Sequence, residues 1–124
     1  MAITLVDIAS PAGLKKYRDT DLAEVKVAVD GTSGTMHSIV IDNSANAAAA
    51  SFVKLWNLTS GSVTVGTTVP DWIFLIPAAT KRTIVFHDGA AYGTGLTAAC
   101  LTTAGTAGTT GPTSDVVVEI IFET

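Results

Sequence analysis

From Glu24 onward, apolar residues fall at every second position of this chain. In EVKVAVD, Val25, Val27 and Val29 alternate with Lys26 and Ala28, as in a half-buried strand whose side chains point to opposite faces. DGTSG (Asp30 to Gly34) reads as a reversal, with Asp-Gly and the later glycine supplying the positive φ of a tight turn. MHSIVID predicts the next strand, with His37, Ile39 and Ile41 on one face. NSANAAAAS, Asn43 to Ser51, is a small-residue connection with room for one helical turn. FVKLWN sets Phe52, Lys54 and Trp56 on one face and Val53 and Leu55 on the other. SVTV predicts a brief strand before Gly66.

DWIFLI, Asp71 to Ile76, is apolar on both faces and bounded by Pro70 and Pro77. The pattern predicts a strand covered on both sides. KRTIVF returns to alternation behind Lys81 and Arg82, GLTAACLT is another strand, AGTAGTTGPTS a Gly/Thr loop at an exposed edge or interface, and DVVVEIIF the closing strand. Strands spaced roughly ten residues apart with turn signals between them predict an all-β fold, a single antiparallel β-sandwich of jelly-roll-like form. No helix of ordinary length and no internal repeat shows in the pattern. The 19 threonines suit strands and sheet surfaces.

Residues 1–22 break this rhythm. Pro11 and Gly13 interrupt them, and charges bunch from Lys15 to Asp21. They read as an N-terminal arm packing on the domain or on a neighbour, with residues 23–124 forming the sandwich. Within the arm, a short strand at Ile3 to Asp7 or a turn of helix at Leu14 to Tyr17 fits the residues.

Length and charge narrow the picture. The 124 residues make one domain, large enough for a core. Charged residues are 15% and apolar residues 48% of the chain, against about 25% charged in an average domain. A surface so poor in charge is either rich in Thr and Gly or partly covered by other chains, and the composition leans towards an oligomer or an assembly component. The net charge of −4 argues against nucleic-acid binding, which needs clustered Lys and Arg. The start, MAITLVDIASPAG, carries its basic residues behind the apolar run, whereas a secretory signal has them in front. The expectation is synthesis and folding in the cytoplasm, with no membrane segment, because no run of eighteen apolar residues occurs.

One stretch invites a catalytic reading. FHDGAAYGTGLTAACLTT holds His87, Asp88 and the only cysteine, Cys100. A catalytic thiol needs a base and an electropositive setting, and TAACLTT is uncharged. Cys100 therefore reads as a core residue. His87 and Asp88 are neighbours, which on a strand face opposite ways, so HDG reads as a turn. Gly93 and Gly95 lack the third glycine and the helix of a nucleotide-binding loop. His37 and His87 lack metal-ligand spacing. Asp71, Asp88 and Asp115 stand at strand ends, where Asp is common. The reading is no catalytic, cofactor or metal site. Trp56, Trp72 and Tyr92 read as core and edge aromatics, with a sugar-binding surface as the alternative from another class.

Ile39 to Thr110 carry a further signal in three runs: IDNSANAAAASFVKLWN, VTVGTTVPDWIFLIPAATKRTIVF and GTGLTAACLTTAGTAGTT. In order and spacing these resemble a small β-sandwich domain that recurs among tailed-bacteriophage virion proteins. The resemblance covers over half of the chain and excludes residues 1–22. It implies a non-enzymatic structural role at the virion: a capsid decoration (cement) protein, often a homotrimer, bound to the major capsid protein on the outer shell. A tail, neck or fibre-associated module is the second possibility of that kind. It brings no catalytic residues. The expected partner contacts are Lys15, Lys16, Tyr17 and Arg18 from the arm, with Trp72 and Phe74 at the core or an oligomer interface.

Overall fold

The computed structural model describes residues 14–124. The strand expected at Ile3 to Asp7 lies outside the described residues. Eight strands follow in order: β1 Leu14–Asp19, β2 Val27–Asp30, β3 Gly34–Asp42, β4 Ser51–Trp56, β5 Trp72–Ile76, β6 Lys81–Tyr92, β7 Leu96–Leu101 and β8 Val117–Glu123. They form two four-stranded antiparallel sheets, one ordered β1-β8-β3-β6 and the other β2-β7-β4-β5. The all-β sandwich is therefore the architecture. Strand β1 lies beside β8, β2 beside β7, β3 beside β6 and β4 beside β5. This is the pairing produced when one long hairpin is rolled up. Every connection except β4–β5 passes from one sheet to the other.

The alternation read from the sequence becomes the core. Met36, Ile39 and Ile41 of β3 and Val118, Ile120 and Phe122 of β8 face Val53 and Leu55 of β4 and Leu96, Ala98 and Cys100 of β7 in one buried cluster. Tyr17 packs against this cluster, and Leu22 is buried within it. So the described part of residues 1–22 belongs to the sandwich. Leu14–Asp19 is a strand and not a helical turn, because β8 presents a complete edge for it to pair with, from Leu14 opposite Glu123 to Asp19 opposite Val118.

Several local expectations change for identifiable reasons. The DGTSG reversal is closed by Asp30, whose Oδ1 accepts bonds from the Thr32 amide and hydroxyl. Neither Gly31 nor Gly34 has positive φ. Gly34 is there because a Cβ would strike the Glu123 carbonyl and the Tyr92 ring. HDG is a bulge inside β6 and not a turn that ends it. Val85 pairs with Ser38 and Ala90 with Met36, so Phe86–Gly89 stand opposite His37 alone, with Gly89 at φ 78°. His37 also lacks a partner on β8, where Phe122 and Ile121 pair with Met36 and Ser38. That bulge turns Met36 into the core and leaves His37 Nε2 3.2 Å from the Glu123 carboxylate.

SVTV is not a strand either. The chain makes a short 3-10 turn at Ser60–Ser62 and folds back as a flap over the outer face of β4 and β7. Beneath it Trp56, Val63 and Ala99 form a second buried cluster, with Leu58 and Val65 packed against it. Trp56 Nε1 donates to the Thr68 carbonyl (3.0 Å) and Thr97 Oγ1 to the Leu58 carbonyl (2.8 Å). Lys54, on the same face, is fully buried. Its ammonium reaches the Ala107 carbonyl at 3.3 Å, so the Gly/Thr loop covers the other half of that face. Burial holds the Lys54 pKa below its ordinary value. The Phe52/Lys54/Trp56 face is thus a real face, but a sealed one.

Candidate interaction surface

The two sheets end together on one side, where β5 and β6 are the edges. Phe74 and Phe86 meet across this side with ring centroids 6.1 Å apart, in a tilted arrangement favoured by aromatic quadrupoles. Trp72, Phe74, Ile84 and Phe86 are partly buried against the core from this side. Pointing away from the core are Ile73 (40% exposed) and Leu75 (47%) on β5 and Val85 (71%) on β6. The expectation that DWIFLI is covered on both faces is therefore wrong. The strand is an edge, with only Ile76 fully buried.

The four edges of the sandwich differ in how they are protected. An exposed strand edge invites pairing with another chain unless charge, bulges or shortness prevent it. β1 carries Lys15, Lys16 and Arg18. β2 has four residues and a register shift between Ala28 and Asp30. β6 has its bulge and begins with Lys81 and Arg82. β5 has no charge, and its register with β4 runs unbroken from Ser51–Ile76 to Leu55–Trp72. Among the described residues, two side chains reach its carbonyls: the Arg82 guanidinium donates to Leu75 at 2.9 Å, and the Asn43 amide donates to Ile76 at 3.3 Å.

The residues expected to contact a partner are divided by the fold. Lys16 and Arg18 lie on the outer face of β1 and both reach Glu119, at 2.9 and 3.2 Å. The bond from Lys16 does most to hold the Glu119 carboxyl below its usual range; desolvation opposes it, and the bond from Arg18 adds to the lowering. Tyr17 points the other way, against the core, with its hydroxyl on Asp19 at 3.2 Å. Burial, then the Asp19 charge, pushes its pKa up to about 12. KKYR is thus a strand with two of its three charges set against one internal carboxylate, Glu119. Trp72 and Phe74 join the open side described above.

The other candidates are dispersed. Cys100 is fully buried in β7, and burial pushes its thiol up to about 12. His87 and Asp88 sit exposed at the β6 bulge, in the opposite sheet. Asp71 accepts a bond from the Asn57 amide at 2.6 Å. Asp115 lies beside Asp21, whose carboxyl its charge raises. Trp56 is 0% exposed and Tyr92 2%, which removes two of the three aromatics from the sugar-surface reading. No group of three metal-ligating side chains gathers among the described residues.

Two features were missed by sequence reasoning. Asn43 is a buried hub: its amide nitrogen serves the Ala49, Ile76 and Pro77 carbonyls, and its oxygen accepts from Asn46 and Ser51. Asn46 in turn exchanges two bonds with the Ser114 backbone. NSANAAAAS is thus fixed by side-chain amides in place of helical bonds. A shallow groove of about 270 Å³ beside it is lined by Ala45–Ala49, Thr113 and Ser114. Its buried amide, Asn46, is already committed.

Compared with known proteins, the chain matches no family model and no curated protein. Fold and surface define a β-sandwich with three protected edges and one open apolar side.

Proposed function

We propose that the chain is a non-enzymatic structural protein of a tailed-phage virion, a capsid decoration protein that binds the outer surface of the head and stabilises it. The observation that carries this reading is the β5/β6 side, where an uncharged strand edge lies between Ile73 and Leu75 on the outer face of one sheet and Val85 on the outer face of the other. A surface of that kind on a chain with 15% charged residues is suited to being covered by another chain. Two arguments add to it. The strand order supports a jelly-roll-like reading of the sandwich, and jelly rolls are used by capsid and lectin domains; fold alone does not fix function. The three sequence runs that resemble phage virion sandwiches include DWIFLI, the strand at the centre of the open side.

In this reading, repeated burial of apolar and Thr-rich surface across neighbouring capsid subunits resists pressure from inside the head. The test is binding of the purified protein to expanded capsids that lack decoration. Saturable binding, with a rise in capsid heat stability, is the expected result. Absence of binding overturns the decoration reading. Labelling in intact particles separates the alternative, since a tail or neck component would mark one vertex and not the whole shell.

A further inference from the structure

We infer that the free edge of β5 is a docking site for residues Ile3–Ile8 of a second copy of this chain, added as a fifth strand to the β2-β7-β4-β5 sheet. The inference stands on the edge itself and does not depend on the virion reading. It starts from the comparison of edges: β5 alone among the four lacks charge, bulge and register break. Its exposed faces are apolar on both sides, with Ile73 and Leu75 outward and Trp72 and Phe74 at the seam between the sheets. A strand added here must be apolar on both faces as well. ITLVDI supplies Ile3 and Leu5 on one face and Val6 and Ile8 on the other, with Asp7 its only charge. β-branched residues and an uncharged run are what strand addition to an edge requires.

Two distances select a neighbour's edge over the chain's own. Residues 9–13 join Ile8 to Leu14 at the start of β1, on the opposite side of the sandwich from β5. Fully extended, that link spans roughly 20 Å. A strand beyond β5 lies about four strand spacings across and one sheet spacing over, roughly 22 Å in a straight line. The chain's own β1 edge is within reach but mismatched, because it presents Lys15, Lys16 and Arg18. An arm that leaves one copy and completes the sheet of the next is a head-to-tail contact, which closes into a ring when the rotation permits. The Arg82 guanidinium holds the Leu75 carbonyl until the arm arrives.

The test is disulfide trapping in purified full-length protein without capsids, so its failure leaves the capsid-binding experiment untouched. One batch carries Leu5→Cys or Thr4→Cys, the other Ile73→Cys or Leu75→Cys. Cys100 stays in place, since its buried thiol is silent near neutral pH. The control edge position is Val25→Cys, 72% exposed just ahead of β2. Docking places arm and edge at millimolar effective concentration, so mixed batches should cross-link at least about tenfold faster than the control pair. Equal rates at the β5 and Val25 positions, or cross-linking only when both cysteines share one chain, overturn the inference.

Discussion

Strands β5 and β7 read alike in the sequence and end in opposite situations. WIFLI and LTAACL are both short, uncharged runs with apolar residues on both faces. All six residues of β7 are buried, while β5 has two of its five exposed and only Ile76 sealed. Hydropathy would rank them the other way, since β7 contains Thr97 and two alanines. Position decides. β7 pairs with β2 and β4 and lies under the flap of residues 57–71, so each face has a cover. β5 comes last in its sheet, beyond the reach of both covering loops. Apolar character records that a surface is to be covered; topology decides whether the chain does so itself.

Substitutions should reproduce this contrast in graded form. The largest effect is expected from Trp56→Ala, which empties the space between the flap and the outer face of β7. Loss of a buried Trp of this kind costs about 3–5 kcal/mol, readable in urea unfolding. Leu101→Ala, on β7 and fully buried, should cost about 2–5 kcal/mol by the same cavity argument. Leu75→Ala on β5 should change folding stability by no more than about 0.5 kcal/mol, as at other exposed positions. A loss at Leu75 as large as that at Leu101 would mean the two strands are covered alike.

Next in size is the latch where β6 crosses into β7. The Tyr92 hydroxyl donates to Asp30 Oδ2 at 2.8 Å. Burial works against ionisation of Asp30, but the bonds from Tyr92 and Thr32 outweigh it and hold the carboxyl below its ordinary 3.8. A depressed carboxyl stabilises the fold above its unfolded-state pKa, and that stabilisation is lost as pH falls through the folded value. Tyr92→Phe should cost about 1.5–3 kcal/mol at neutral pH, the worth of a bond to a charged acceptor. The difference should shrink as pH falls below the ordinary carboxyl value of 3.8. Thermal midpoints of both proteins against pH measure it.

The smallest effect belongs to the acidic rim. Asp21 is raised above its ordinary 3.8, chiefly by the Asp115 charge. A raised carboxyl destabilises the fold once pH exceeds its unfolded value. Asp115→Asn should therefore raise the midpoint slightly at neutral pH, with the gain fading in salt and near pH 3. A midpoint that falls at neutral pH would contradict the sign.

Much of the fold was legible because period two survives in β3, β4 and β8, where Ile39/Ile41, Val53/Leu55 and Val118/Ile120 face one core. Local pattern failed where a tertiary partner decides. Leu14–Asp19 is a strand because β8 has an edge to share, and SVTV is a turn because Trp56 needs a cover. The bulge opposite His37 shifts Met36 inward by one position, which no alternation count reveals. The open side was half legible: Trp72 and Phe74 were placed at a core or interface, while Ile73 and Leu75 were assigned a cover they lack. Lys15–Arg18 looked like one basic patch, because the sequence cannot show Glu119 opposite two of its charges.

The central claim, that β7 is sealed within the chain and β5 is left for another, is tested most directly by backbone hydrogen exchange on dispersed and assembled protein. The account predicts that β7 exchanges slowly in both states and that segment 72–76 exchanges faster when dispersed and slows on assembly. Equal protection of the two strands in dispersed protein, or a β5 segment that assembly leaves unchanged, would contradict it.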